Sequence, residues 1–298
     1  PLVVHLVDNA IQYSARSAPQ EVRGGVRREG ATAVLSVADG GLMIDLALQN
    51  SVTVDPARQR ASAQGGALLG HLDSATLPQG LVTTAGVVSH TGVGGFTLGG
   101  GFGRLNRKFG LAVDNLVAAD IVTADGQFRT VSAEQEPDLF WALRGGGGNF
   151  GVATRFEFQL HPFDRNVLSG MIVWPVEQAR EVLDFYAGWY TGLSDDLYVG
   201  PVMLTMPDGT SVIAMEVVYA GDPVLGEKEL EPLRRIGKPI DDGVKVQDYT
   251  VMHSLLHQER HGAGNYPRPD RRDDRGFRAR PAVGDVHAHF RRRGEPGG

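Results

Sequence analysis

From residue 152 to 160 the chain reads V-A-T-R-F-E-F-Q-L. Its apolar positions alternate with polar ones, and that period of two predicts a half-buried strand. Short strands are also predicted over Leu2–Val7, Leu42–Leu46 and Val52–Val54, with a return strand over Arg60–Gln64 after the Asp55-Pro56 turn. Leu68, Leu69, Leu72 and Ala75 keep helical spacing, and Gly80 ends that helix. Ala119–Thr130 predicts two strands around an Asp125-Gly126 turn, because Asp-Gly tolerates the positive φ angles of a tight hairpin. Asp138–Leu143 reads as a short helix with an acidic start. Asn9–Glu29 shows neither period.

After Pro162 the texture changes. Val167–Trp174 predicts a strand, Pro175 the first turn of a helix, and Val176, Ala179, Leu183, Tyr186 and Tyr190 one apolar helix face. Tyr198–Met206 and Thr210–Tyr219 flank the turn Pro207-Asp208-Gly209 as a long hairpin, and Val224–Arg235 predicts another helix. Short turns join these strands where crossover helices would be needed for a parallel sheet. An antiparallel sheet with helices on one side follows, and an α+β class. Residues 257–298 differ again, with ten arginines, no lysine and few large apolar residues. A disordered tail fits that composition best; a basic nucleic-acid arm or a GC-rich coding region read out of frame would also produce it.

The length of 298 residues suggests about two domains. Hydrophobic residues at 42% and charged residues at 21% are ordinary for a globular protein. No stretch approaches the ~18 consecutive apolar residues of a membrane span, and a net charge of −6 offers nucleic acid no general attraction. The absence of cysteine excludes disulfides, thiolate nucleophiles and cysteine metal sites, and nothing in the pattern asks for a metal. The chain starts at Pro1, so an upstream targeting signal is left open, with the cytoplasm as default compartment.

Glycine changes the picture. The chain holds 40 glycines, about 13% against a usual ~7%. Three clusters fall close together: Gly92–Gly95, Gly99–Gly103 and Gly145–Gly148. Glycine lets a ligand approach backbone N–H groups, and consecutive inward N–H groups make a nest for an anion such as a pyrophosphate. Tight turns and close sheet packing are the structural alternative. A Rossmann site is excluded, because Gly92-Val93-Gly94 lacks the third spaced glycine and no long apolar helix follows. The Gly-Lys-Ser/Thr of a phosphate loop is absent as well.

The stretch Gly86-Val-Val-Ser-His-Thr-Gly-Val-Gly-Gly-Phe-Thr-Leu-Gly-Gly-Gly-Phe-Gly103 resembles the central flavin loop of berberine bridge enzyme-like FAD-linked oxidases. Arg107–Leu116, Asp120–Gly126, Asp138–Gly151 and Asp39–Leu46 continue the resemblance, which runs from about Ala38 to about Tyr249. It implies the p-cresol methylhydroxylase/vanillyl-alcohol oxidase (PCMH-type) fold: an FAD-binding domain over residues 1–163, a partial substrate domain with an antiparallel sheet and helices over 164–256, and the tail 257–298. It places Gly92, Val93, Gly94, Gly95 and Phe96 beside FAD, Phe102 where an aromatic lines the cofactor, and Asn149, Phe150 and Val152 in a late flavin-contacting segment. Ser89, His90 and Thr91 would lie near the isoalloxazine, His90 more as a loop residue than as a catalyst. Asp114 and Asn115 read as structural turn residues. The implied chemistry is hydride removal from a C–H bond of an alcohol, sugar or alkaloid-like small molecule, with O2 as acceptor and neither nucleic acid nor membrane as partner.

Two departures qualify this. The family's Arg-Gly-Gly-Gly-His loop has as counterpart Arg23-Gly24-Gly25-Val26-Arg27-Arg28, without the histidine that bonds covalently to the flavin. The cysteine linkage found near Val88 in many members is absent too, so FAD is expected to be noncovalent. Past Tyr249 the resemblance stops, which makes the chain N- and C-terminally incomplete as a family member. It leaves the catalytic base unassigned, Tyr266 lying in the divergent tail. An FAD-dependent oxidoreductase and a non-catalytic remnant with an incomplete flavin site are the two readings.

Overall fold

The computed structural model describes residues 24–28, 31–38, 41–206 and 208–252, with side chains from residue 44 onward. The strand expected over Leu2–Val7, Tyr266 and the 257–298 tail lie outside the described residues. Three strands come first among the described residues, β1 (Gly24–Arg28), β2 (Ala31–Ala38) and β3 (Gly41–Asp45), paired antiparallel in that order.

Next come β4 (Val52–Asp55), β5 (Arg60–Gln64), helix α1 (Leu69–Thr76) and the short β6 (Leu81–Val82). Gly80 closes the helical stretch at φ 66°, a left-handed angle that suits glycine. Two short helices follow, α2 (Val93–Leu98) and α3 (Asn106–Phe109). The expected hairpin is β7 (Leu116–Val122) and β8 (Phe128–Ser132), and α4 spans Pro137–Leu143. β9 (Val152–Gln159) then enters between β5 and β7 and completes a five-stranded antiparallel sheet, β4-β5-β9-β7-β8. Its core gathers Ala61, Ala63, Leu69, Leu72, Val93, Ala119, Ile121, Leu143, Phe156 and Phe158.

The alternation expected over 152–160 holds only in part. Phe156, Phe158 and Leu160 point inward, but before them Ala153 is buried while Val152 and Thr154 are half-buried. The register explains the change. Asp120 pairs with Arg155 and the adjacent Ile121 with Ala153, so Thr154 is an extra residue and the strand face flips across it. The Thr154 carbonyl instead accepts the Gly65 N–H at 2.8 Å.

The second half holds β10 (His161–Pro162), which pairs with β6, then β11 (Asn166–Pro175), α5 (Ala179–Trp189), β12 (Leu197–Thr205), β13 (Ser211–Tyr219), α6 (Pro223–Arg234), β14 (Asp241–Asp242) and β15 (Lys245–Asp248). The sheet order is β12-β13-β11-β14, with β15 also on β11, and every pairing is antiparallel. Leu168, Ile172, Trp174, Ile213, Met215 and Val217 pack one sheet face against Val182, Leu230 and Leu233 of the two helices. Pro175 ends β11 and precedes a single 3-10 turn, so α5 starts later than the proline suggests. Its apolar face is also rotated from the one expected. Val182 is fully buried and Leu183 is 36% exposed, because Val182, Phe185, Tyr186 and Trp189 form the stripe that meets the sheet. Among the described residues no helix is long and apolar enough to cross a membrane.

A third apolar cluster joins the two halves: Leu77, Val82 and Leu105 from the first, Val167, Val218, Tyr249 and Met252 from the second. At its edge His161 stacks on Phe109 with ring centroids 4.4 Å apart. Asn115 donates through Nδ2 to the carbonyls of Phe109 (2.8 Å) and Leu111 (2.9 Å). Its Oδ1 is therefore an acceptor, and His161 Nε2 donates to it at 2.6 Å. Asp114 Oδ2 accepts the Leu111 N–H at 2.8 Å, so both residues are the turn residues expected.

Two predictions follow from this packing. An ideal Cβ on Gly103 would sit 1.7 Å from the Ala85 carbonyl oxygen. Gly103→Ala should therefore lower unfolding free energy by at least about 2 kcal/mol, read from a denaturant titration. Burial lowers the His161 pKa below 6.5. Between the folded and unfolded values the unfolded chain binds the extra proton, so His161 should contribute stability that is present above pH 6.5 and lost as the pH falls below it. Melting curves from pH 7.5 to 5 should show a smaller acid loss in His161→Gln than in the parent.

Candidate functional site

The loop that carries Ser89–Phe96 is shaped by α1. The first amides of that helix have no intrahelical acceptors. Leu69 N–H donates to Thr91 O at 2.9 Å and Gly70 N–H to Ser89 O at 2.7 Å, while Val93 N–H returns to Ala67 O at 2.8 Å. Leu68 and Gly92 complete this strap as an isolated antiparallel bridge. Gly70 permits the close approach, since a Cβ there would meet Ser89 O at 3.2 Å. Residues 89–93 are thus laid along 67–70, and α2 begins at their end.

Within that loop the expected contact residues divide. Gly92 and Gly95 are exposed, and a Cβ on either would meet nothing within 4 Å. Val93 is fully buried in the core, and Gly94 faces inward, where a Cβ would stand 3.1 Å from Gly65 O. Phe96 lies between glycines, its ring 2.9 Å from a Cβ built on Gly86 and 2.8 Å from one on Gly101. The side chains of Val93 and Phe96 therefore brace the loop. The open backbone belongs to Gly92 and Gly95. His90 is exposed and Ser89 half-buried.

The other glycine clusters divide in the same way. Gly100 and Gly101 have φ of 108° and 76°, angles that L side chains rarely adopt, and their carbonyls accept from Val113 and Ala112. Gly101 and Gly103 are packed against Ala112 and Ala85, so this cluster is mainly a backbone crossing. Gly145, Gly147 and Gly148 face open space, next to a 3-10 turn at Gly147–Phe150 that packs against α2. Asn149 is exposed and donates to Gly146 O at 2.8 Å, Phe150 packs on the core, and Val152 opens β9 half-buried. The tertiary fold thereby brings 92–96 and 147–152 together, two open glycine surfaces with neutral hydrogen-bonding groups. That arrangement suits the phosphates and flat rings of a dinucleotide.

Gly24–Arg28 runs as strand β1 in register with Ala31–Leu35, where the resemblance implies a phosphate-cradling loop. An extended ladder does not converge its N–H groups on one anion, so this segment does not fit the cofactor as the other two do.

Phe102 is 57% exposed, with its ring centroid 6.3 Å from that of Tyr198 in β12. Burial, and then the charge of Glu216, push the Tyr198 phenol up to about 12. The basic run after the glycines grips the second half. Arg104 meets Glu216, Arg107 Nη2 donates to Leu193 O at 2.8 Å under the Tyr190 ring, and Lys108 Nζ meets Asp196 at 2.6 Å. Sequence reasoning singled out neither Arg104 nor Glu216. The available signal was a lone acid in the apolar run I-A-M-E-V-V-Y.

Comparison with known proteins agrees with this architecture. A family model described as an FAD binding domain matches residues 7–132. (R)-6-hydroxynicotine oxidase of Paenarthrobacter nicotinovorans is 32% identical over 255 residues, 85% of this chain and 54% of that protein. Xylooligosaccharide oxidase of Thermothelomyces thermophilus is 40% identical over 152 residues, 51% of this chain and 30% of that protein. The crystal structure of 6-hydroxy-D-nicotine oxidase from Arthrobacter nicotinovorans superposes with a TM-score of 0.73 at 30% identity, covering 89% of this chain and 56% of its own. The chain spans about half the length of the first of these relatives. With its mixed sheets and helices and these relatives, the chain belongs to the family of FAD-linked oxidoreductases with the PCMH-type fold.

Proposed function

We propose that this chain forms the FAD-holding part of an oxidoreductase that removes a hydride from a C–H bond of an alcohol, sugar or alkaloid-like molecule, with O2 as final acceptor. The observation that carries the reading is the strap of Leu69, Gly70 and Val93 amides, which presents Gly92 and Gly95 with their Cα faces open beside the 147–150 turn. FAD, when bound, would supply the hydride-accepting chemistry. The chain's own part is to hold and orient. Gly92 and Gly95 offer backbone, and Asn149 offers an exposed amide. Burial pushes the Tyr198 phenol up to about 12, so it keeps its proton at neutral pH and is not a base there. FAD is held noncovalently in this reading, residues 1–163 form the cofactor domain and 164–256 the start of the substrate domain. A second reading, a member without turnover, is favoured by the strand at Gly24–Arg28 in place of a phosphate loop.

Acid precipitation of the FAD-loaded chain should leave all yellow colour in the supernatant; flavin in the pellet would contradict noncovalent attachment. Gly95→Val should weaken FAD binding at least tenfold, about 1.4 kcal/mol, with little change in melting temperature, since its Cβ meets open space. An unchanged dissociation constant removes this loop from the site. Anaerobic bleaching and peroxide release with sugars, primary alcohols and secondary amines separate the two functional readings: bleaching by any of them supports the oxidase, and none with FAD bound supports the inactive member.

A further inference from the structure

Arg104 and Glu216 are the two members of a deeply covered ion pair, with side chains 0% and 4% exposed. Arg104 directly follows Gly103, whose backbone is pressed on Ala85. Its Nε and Nη2 donate to Glu216 Oε1 of β13 at 2.9 and 2.5 Å. Its Nη1 turns the other way and donates to Val87 O at 3.1 Å. One guanidinium thus joins the second sheet to the stretch that runs into Ser89, the residue whose carbonyl takes the Gly70 amide. Arg's planar fork makes such a three-way junction rigid.

Anchorage of the two halves does not by itself require the Val87 bond. Arg107 and Lys108 already grip Leu193, Asp196 and Ala220 at partly exposed positions. Of these three cations Arg104 is the one bonded to the 81–93 segment among the described contacts. Its cover also makes it unforgiving: a guanidinium shielded from water holds its acceptors where they are, because a displaced bond is not replaced by solvent.

We propose that Arg104 and Glu216 are positioning residues which set the path of Val87–Val93, so that docking of the second sheet is coupled to FAD binding in the first half. The cofactor arm of this proposal rests on reading 89–96 as the FAD loop; the positioning arm does not. Loss of Glu216 alone leaves a buried cation without its counter-charge and endangers folding. The informative variant is Arg104→Met with Glu216→Met, which removes both charges at similar volume together with the Val87 bond, a replacement that buried pairs often tolerate. Lys108→Met is the control, since it loosens a grip on the second sheet without touching Val87.

Hydrogen exchange in the cofactor-free chain reads the Leu69, Gly70 and Val93 amides that form the strap. In the double variant they should exchange at least about tenfold faster while the β7 and β9 amides keep their parent rates. With FAD added, the dissociation constant should rise about tenfold or more and the visible bands of the bound flavin should shift. Lys108→Met should change none of these readouts. Unchanged strap exchange in the double variant overturns the proposal. So does an equal acceleration of all amides, or the same effect from Lys108→Met, because either marks general loosening. Faster strap exchange in the double variant, together with a parent chain that takes up no FAD, keeps the positioning role and discards the FAD loop. Parent-like FAD affinity and spectrum in the double variant discard the coupling.

Discussion

A guanidinium lies where water does not reach, between a glycine-packed loop and an interior strand of a sheet. The Arg104 side chain is wholly covered and its counter-charge, Glu216, is 4% exposed. Breaking such a pair by removing one partner typically costs about 3–5 kcal/mol. The exposed ion pairs on the same molecule, such as Arg180 with Asp184, are worth about 0–1 kcal/mol each. The buried pair therefore dominates the electrostatics of the junction. Its geometry depends in turn on Gly103, which has no side chain to hold the loop off Ala85. The apolar cluster of Leu105, Val218, Tyr249 and Met252 excludes water around it. Each of these features presupposes the others.

The glycines serve two different physical ends. Where a Cβ would strike backbone, as at Gly65, Gly66 and Gly103, the residue exists so that two chain segments can touch. Where a Cβ would meet nothing and φ is ordinary, as at Gly92, Gly95 and Gly148, nothing internal demands glycine and the open backbone is available to a ligand, whereas Gly145 and Gly147 also serve left-handed φ angles of 113° and 70°. The second group converges from two distant parts of the chain because the 147–150 turn packs on α2. In the proposed reading the site is made from that group and braced by the first.

Where expectation and structure diverge, the cause is a neighbour rather than a weak propensity. The face of β9 flips because β7 imposes a register with one residue to spare at Thr154. Helix α5 turns Val182 inward, and Leu183 outward, because the sheet it covers offers Trp174 and Met215 to that stripe. Gly24–Arg28 reads as a glycine loop in isolation and becomes a strand through pairing with Ala31–Leu35.

The sequence by itself determined the type of most longer elements, the Asp125-Gly126 and Pro207-Asp208-Gly209 turns, the antiparallel second sheet with its helices and the family, but not the short helices at Val93–Leu98 and Asn106–Phe109. Those properties rest on local spacing: Asp125-Gly126 can hardly be other than a turn, and the glycine-rich run from Gly86 to Gly103 is long enough to be distinctive. The resemblance named Gly92, Val93, Gly94, Gly95 and Phe96 alike for the site, and had no means of separating the open Gly92 from the inward Gly94. Only the tertiary structure decided which glycines are open, which helix face is buried and which charges are paired. The reason is that each of those is a property of two segments at once. Arg104 meets Glu216 across 112 positions of chain, and no periodicity in either segment carries the identity of the other.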